Sequence, residues 1–194
     1  KTGVSSILGA DAGHTLNGTR EVRELLGGKY FDFPKPVSLM SFLIMQVAQD
    51  PDAIVLDFFA GSGTTAHALM AINAIDGGTR RFIVVQLPEA TDPTSEAAKQ
   101  GYVSIAELSR ERIRRAGRAV VDKAGLAPEG ADVGFRNLRI DSSNMADVLR
   151  TPDDTSQETL SGLEASVKPD RSGEDLLFQV LLDWGLELTM PIRA

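Results

Sequence analysis

Residues 53–65 read AIVLDFFAGSGTT, and no other stretch limits the fold of this chain as strongly. Ile54, Val55 and Leu56 form a short continuous apolar run, the pattern of a strand covered on both faces of a parallel sheet. Asp57 ends the run. Gly61 and Gly63 lack a Cβ, so the backbone can turn sharply there and come close to a ligand. Thr64 and Thr65 follow at a helix start, where unpaired N–H groups favour an anionic group. The stretch therefore predicts strand, turn and helix, with a carboxylate or phosphate held at the turn.

The flanking sequence extends this to a β-α-β unit over residues 53–87. The helix from Thr64 carries Ala66, Leu69, Met70 and Ile72 at helical spacing and stops before Gly77-Gly78, and RFIVVQL from Arg81 reads as a second buried strand. Upstream, residues 1–29 are rich in Gly, Ser, Thr and Asn, with a short helix expected near residues 20–26. Tyr30-Phe31-Asp32-Phe33-Pro34-Lys35-Pro36 then holds the backbone extended, and a largely buried helix is expected from Ser38 to the stop at Asp50-Pro51. Downstream, residues 105–124 predict a basic amphipathic helix whose buried positions are Ile105, Leu108, Ile113, Val120 and Val121. Val133, Phe135, Leu138 and Ile140 alternate as in a third strand. Residues 142–172 turn polar and read as a linker or irregular segment with one short helix near 157–165, and residues 173–194 as a C-terminal helix and tail. Residues 1–141 are left as one cofactor-binding unit.

Charge and composition remove several functions. A net charge of −7 argues against a self-sufficient nucleic-acid module, because neutralising phosphates needs clustered Lys and Arg. The basic run of Arg110, Arg112, Arg114, Arg115, Arg118 and Lys123 is expected to be a solvated helix face, with a nucleic-acid site there as the minor hypothesis. There is no cysteine, hence no disulfide or thiolate metal site, and His14 and His67 are too isolated to hold a metal. No apolar run approaches the roughly 20 residues that cross a bilayer, and a cytoplasmic location is the expectation. The chain starts at Lys1 with no signal-peptide pattern, so it is expected to be a piece of a longer protein.

Three ligands compete for the turn. A P-loop nucleotide site requires a Lys that Gly61-Ser62-Gly63-Thr64-Thr65 does not supply. A nicotinamide or flavin site requires an acid at the end of the second strand, where this chain has Gln86, with Glu89 three residues on. That reading stays open as an oxidoreductase alternative. S-adenosylmethionine fits better: its amino group needs an acid such as Asp57, and its carboxylate needs hydroxyls and helix N–H groups such as those of Thr64 and Thr65.

Asp57-Phe58-Phe59-Ala60-Gly61-Ser62-Gly63-Thr64-Thr65 resembles the cofactor motif of amino-group DNA methyltransferases, and Phe33-Pro34-Lys35-Pro36-Val37-Ser38-Leu39 resembles their second cofactor motif. The order, with the Lys-Pro segment before the Gly-rich turn, is that of the circularly permuted (beta) class. RFIVVQLPE, RERIRR, Gly134-Phe135-Arg136 and DLLFQVLLDWGLEL are similar to the modification subunit of type III restriction-modification systems, and the likeness covers nearly the whole chain.

The resemblance implies a Rossmann-like methyltransferase fold of the α/β class, present here as the cofactor-binding half of a mostly parallel sheet. It implies that Phe33 and Lys35 line the S-adenosylmethionine pocket, that Asp57 holds the methionine amino group, and that the loop containing Phe58, Phe59, Gly61, Gly63, Thr64 and Thr65 wraps the carboxylate. Gln86 takes the place of the usual ribose-binding acid. The implied activity is adenine-N6 methylation of a specific DNA site. The family's catalytic Asp/Asn/Ser-Pro-Pro-aromatic tetrapeptide occurs nowhere in this sequence, so no catalytic residue is assigned and this piece alone is expected not to methylate. Implied partners are double-stranded DNA, through parts outside this chain, a second modification subunit and a restriction subunit. A non-catalytic assembly module is the remaining alternative.

Overall fold

A computed structural model describes residues 8–9, 12–125, 131–146 and 167–192. The chain divides between Phe135 and Arg136 into two units. In the first, α1 spans Thr15–Leu26, α2 Val37–Val47, β1 Ile54–Asp57, α3 Thr64–Asp76, β2 Arg81–Val84, α4 Glu96–Lys99 and α5 Ile105–Ala124. The fold is α/β with a small parallel sheet. β1 and β2 pair in the register Ile54 to Arg81 and Asp57 to Val84, joined by α3. The expected β-α-β unit is therefore present, although the second strand stops at Val84 and not at Leu87. The helix expected at 20–26 starts earlier, at Thr15.

The sheet has one covered face. Val55, Phe82 and Val84 turn inward onto the helices, whereas Ile54 and Leu56 remain 54% and 50% exposed. Burial on both faces was the expectation from the apolar run. Among the described residues nothing covers the outer face, and a parallel sheet is ordinarily covered on both.

α3 is the centre of the first unit. Ala68, Leu69 and Ile72 pack against Ile44 and Ala48 of the α2 end, while Ala66 and Met70 pack against Ile113, Ala116 and Val120 of α5. A helix in contact on two sides is apolar over most of its circumference, so α3 buries far more than one stripe. The expected largely buried α2 is corrected: only Ile44 is buried, and Phe42, Leu43, Met45 and Val47 face outward. Arg80 is buried at the α2 end, where its Nε donates to the Ala48 carbonyl at 2.9 Å and its Nη1 pairs with Asp76 at 2.9 Å. A cation at a helix C-terminus meets the negative end of the dipole.

Residues 133–140 form no strand. Val133 and Phe135 instead pack on the α3 and α5 cluster, and Ile140 is exposed, so the alternation has no partner strand to pair with. In the second unit α6 spans Gly173–Asp183, opened by a capping box in which Ser172 and Asp175 exchange hydrogen bonds. Of its expected core positions only Leu181 is buried; Trp184 is 76% exposed. The guanidinium of Arg136 lies 5.9 Å from the Phe178 ring centroid. The helix expected near 157–165 lies outside the described residues.

Candidate functional site

β1 delivers Asp57 to the C-terminal edge of the sheet, where open α/β sheets hold their ligands. The carboxylate organises the turn that follows. Its Oδ1 accepts from the Phe59 N–H at 3.0 Å, and its Oδ2 accepts from the Thr65 hydroxyl at 2.5 Å. The Ala60 N–H donates to the Val85 carbonyl at 2.9 Å and the Gly63 N–H to the Ala60 carbonyl at 2.7 Å, which closes the loop. Gly61 and Gly63 have φ of 53° and 79°, the left-handed region that favours glycine. No side chain caps the N-terminus of α3, so its first N–H groups remain available to an anion.

The second segment approaches from the α1–α2 connection. Pro34 is fully buried, and Phe33 beside it has φ of 52°, the only positive value outside glycine among the described residues. An aromatic residue in that region is strained by about 1–3 kcal/mol. The segment is fastened to the loop by the Thr64 hydroxyl, which donates to the Lys35 carbonyl at 3.2 Å.

Between the two segments lies a cavity of about 180 Å³. Phe33 and Lys35 line it from one side; Asp57, Phe59, Gly61, Thr64 and Thr65 line it from the other. Of the lining residues, Phe33 and Phe59 are 77% and 87% exposed. Phe58, Gly63 and Gln86 do not line it. Phe58 points to solvent, Gly63 faces α5, and Gln86 lies under the loop with its Oε1 accepting from the Gly61 N–H at 2.7 Å and its Nε2 donating to the Leu87 carbonyl. Both polar ends of Gln86 are thus engaged within the protein.

Sequence reasoning missed Phe31 and Met40, which also line the cavity. Phe31 stands two residues before Phe33 in the same aromatic-proline segment, a signal that was available. It also missed a group behind the loop. Arg112, expected on a solvated face, is 0% exposed. Its Nη1 donates to the hydroxyls of Ser62 and Thr64, the latter at 2.6 Å, and its Nη2 lies 3.9 Å from the Glu21 carboxylate. Burial pulls the Arg112 pKa down to about 10, opposed by Glu21, so the guanidinium stays charged at neutral pH. Burial also raises the Glu21 pKa, against the Val37 N–H and Arg112.

His67, on α3, is held neutral. Burial, then the charges of Arg112 and Lys123, lower its pKa to about 4, and its Nδ1 has no hydrogen-bond partner. A folded-state pKa below the unfolded one means that the unfolded chain binds more protons between pH 6.5 and 4, so stability contributed by neutral His67 is lost as pH falls through that window. The loss amounts to about 2–3 kcal/mol. Urea unfolding at pH 7 and pH 4.5 checks this: H67Q should lose less stability between the two than the wild type does.

Among the described residues no group of His, Cys, Asp or Glu could hold a metal ion. An acid at a strand end, a Gly-rich turn, an uncapped helix start and a facing aromatic-proline segment thus meet at one cavity. Residues 10–89 match the family model described as DNA methylase. Among curated proteins, the Mod subunit of the type III restriction-modification enzyme StyLTI from Salmonella typhimurium is 45% identical over 122 residues, 63% of this chain and 18% of that protein. The EcoPI Mod subunit from Escherichia phage P1 is 45% identical over 100 residues, 52% of this chain and 15% of that protein. The type II methyltransferase M.KpnI from Klebsiella pneumoniae is 39% identical over 100 residues, 52% of this chain and 24% of that protein. The resemblance read from the motifs is thereby borne out, and the chain spans less than a quarter of the length of these relatives.

Proposed function

We propose that this chain is the cofactor-binding part of a DNA adenine-N6 methyltransferase of the type III Mod kind, with a Rossmann-like fold that binds S-adenosylmethionine between residues 33–36 and 57–65. One observation carries the reading: two segments separated in sequence by β1 and α2 converge on one cavity, with a carboxylate at one wall and an uncapped helix N-terminus at another. A zwitterionic amino-acid end matches that pairing, its ammonium at Asp57 and its carboxylate at the N–H groups opening α3. The cavity is smaller than the roughly 300–1,000 Å³ of a complete ligand site, so it suits one end of the ligand, with Phe33 and Phe59 flanking the remainder.

When bound, S-adenosylmethionine supplies an electrophilic methyl group on a sulfonium. This chain's residues bind and orient; the tetrapeptide that would hold a flipped adenine is not in the sequence and belongs to other parts of such an enzyme. DNA, a second modification subunit and a restriction subunit are the partners this reading assigns, and the cytoplasm is its compartment. No described helix is long and apolar enough to cross a membrane. A dinucleotide is disfavoured because the second strand is followed by Gln86, whose carbonyl is occupied by Gly61.

Calorimetry on the full-length protein tests the reading. Wild type should bind S-adenosylmethionine and not a nicotinamide dinucleotide. D57A should weaken binding by about 1.5–3 kcal/mol through loss of a charge-assisted hydrogen bond, and unchanged affinity would remove Asp57 from the site.

A further inference from the structure

Arg112 lies on α5, outside both segments that line the cavity, yet it touches one and reaches the other through a single residue. Its Nη1 donates to Ser62 and Thr64, and the Thr64 hydroxyl, receiving that bond, directs its own proton to the Lys35 carbonyl. Its Nη2 faces Glu21 of α1, whose carboxylate accepts from the Val37 N–H at 2.9 Å, one residue past Pro36. Two routes therefore run from one guanidinium to the 33–36 segment, one through the turn and one through α1.

We propose that Arg112 is a positioning residue for the ligand cavity: together with Glu21 it sets the spacing and orientation of residues 33–36 against residues 61–65. The inference rests on the S-adenosylmethionine reading for its ligand. A fully withdrawn arginine is a costly way to fill space, since an apolar side chain of similar volume does so without desolvating a charge. Its Nε and Nη2 make no hydrogen bond, so that cost is only partly offset. What an apolar replacement would not supply is a planar donor that fixes two hydroxyls in one plane and thereby polarises the Thr64 to Lys35 bond.

The test uses the full-length protein, with S-adenosylmethionine affinity by calorimetry and hydrogen exchange in peptides covering residues 34–37 and 61–65. R112M, which cuts both routes, should weaken binding about tenfold, T64V, which cuts only the route through the turn, should weaken it less, and the double variant should bind about as R112M does, because the connection lost in T64V is already lost in R112M. Exchange should quicken in both peptides. R80M, which removes a buried arginine remote from the cavity, should lower the melting temperature and leave affinity and both peptides unchanged. A folded R112M with wild-type affinity and exchange, or additive effects of R112M and T64V, overturns the inference. If R112M does not fold, R112K and T64V carry the same comparison, since an ammonium cannot reproduce the planar fork. A wild-type protein that fails to bind S-adenosylmethionine rejects the ligand reading, and the exchange arm then decides on the positioning role alone.

Discussion

Replacing Gly63 should be among the most damaging single changes in this protein, and for a reason that lies in the fold. At φ of 79° it caps α3, and a Cβ built there stands 2.9 Å from both Ile113 Cγ1 and Ser109 Oγ of α5. Ile113 is buried in the α3–α5 cluster and has little room to yield. Left-handed strain of about 1–2 kcal/mol adds to an overpacking cost of about 1–3 kcal/mol, so G63A should lose about 2–5 kcal/mol. G63V should lose more, because a β-branched residue in that region is an outlier. Denaturant unfolding measures the loss. The sequence led us to expect Gly63 to serve close approach of a ligand; in the structure its missing Cβ makes room for α5.

Gly18 should be equally intolerant. A Cβ there would lie 2.1 Å from the Pro34 carbonyl oxygen and 2.9 Å from the Lys35 carbonyl carbon, both backbone atoms. Alanine gains about 1 kcal/mol of helix propensity over glycine. That gain is outweighed, since the 34–35 backbone must move by about an ångström against a buried Pro34, at about 3 kcal/mol or more. G18A should therefore unfold at lower denaturant by a net of about 2 kcal/mol or more and, on the function proposed above, bind S-adenosylmethionine more weakly where it folds, because the displaced segment carries Phe33 and Lys35 of the cavity lining. Stability equal to wild type would show that α1 does not press on this segment.

Legibility in the sequence followed the range of the interactions. The β-α-β unit was readable because its signals are local: an apolar run, glycines at a turn, helical spacing from Thr64. The cavity lining was largely readable for a different reason, since Phe33, Lys35, Asp57, Phe59, Gly61, Thr64 and Thr65 sit in two short motifs whose resemblance to methyltransferases names both. Apolar patterns without a partner were misleading. Val133, Phe135, Leu138 and Ile140 alternate like a strand, but pairing needs a neighbour at the sheet edge, and Val133 and Phe135 are drawn onto the helices instead. The apolar α2 and α6 stripes likewise gave no measure of how much of each is covered by the described residues.

By itself the sequence determined the strand, the glycine turn and the uncapped helix start at residues 54–65, because backbone sterics and hydrophobic period act within a few residues. It also carried the resemblance to methyltransferases, through two short motifs. Only the tertiary structure decided that Arg112 is internal, that Gly18 and Gly63 are contact points between elements, and that Thr64 and Thr65 spend their hydroxyls on Lys35 and Asp57. Those outcomes depend on residues as far apart as Ser62 and Arg112, and no local period encodes which distant atoms a side chain will meet.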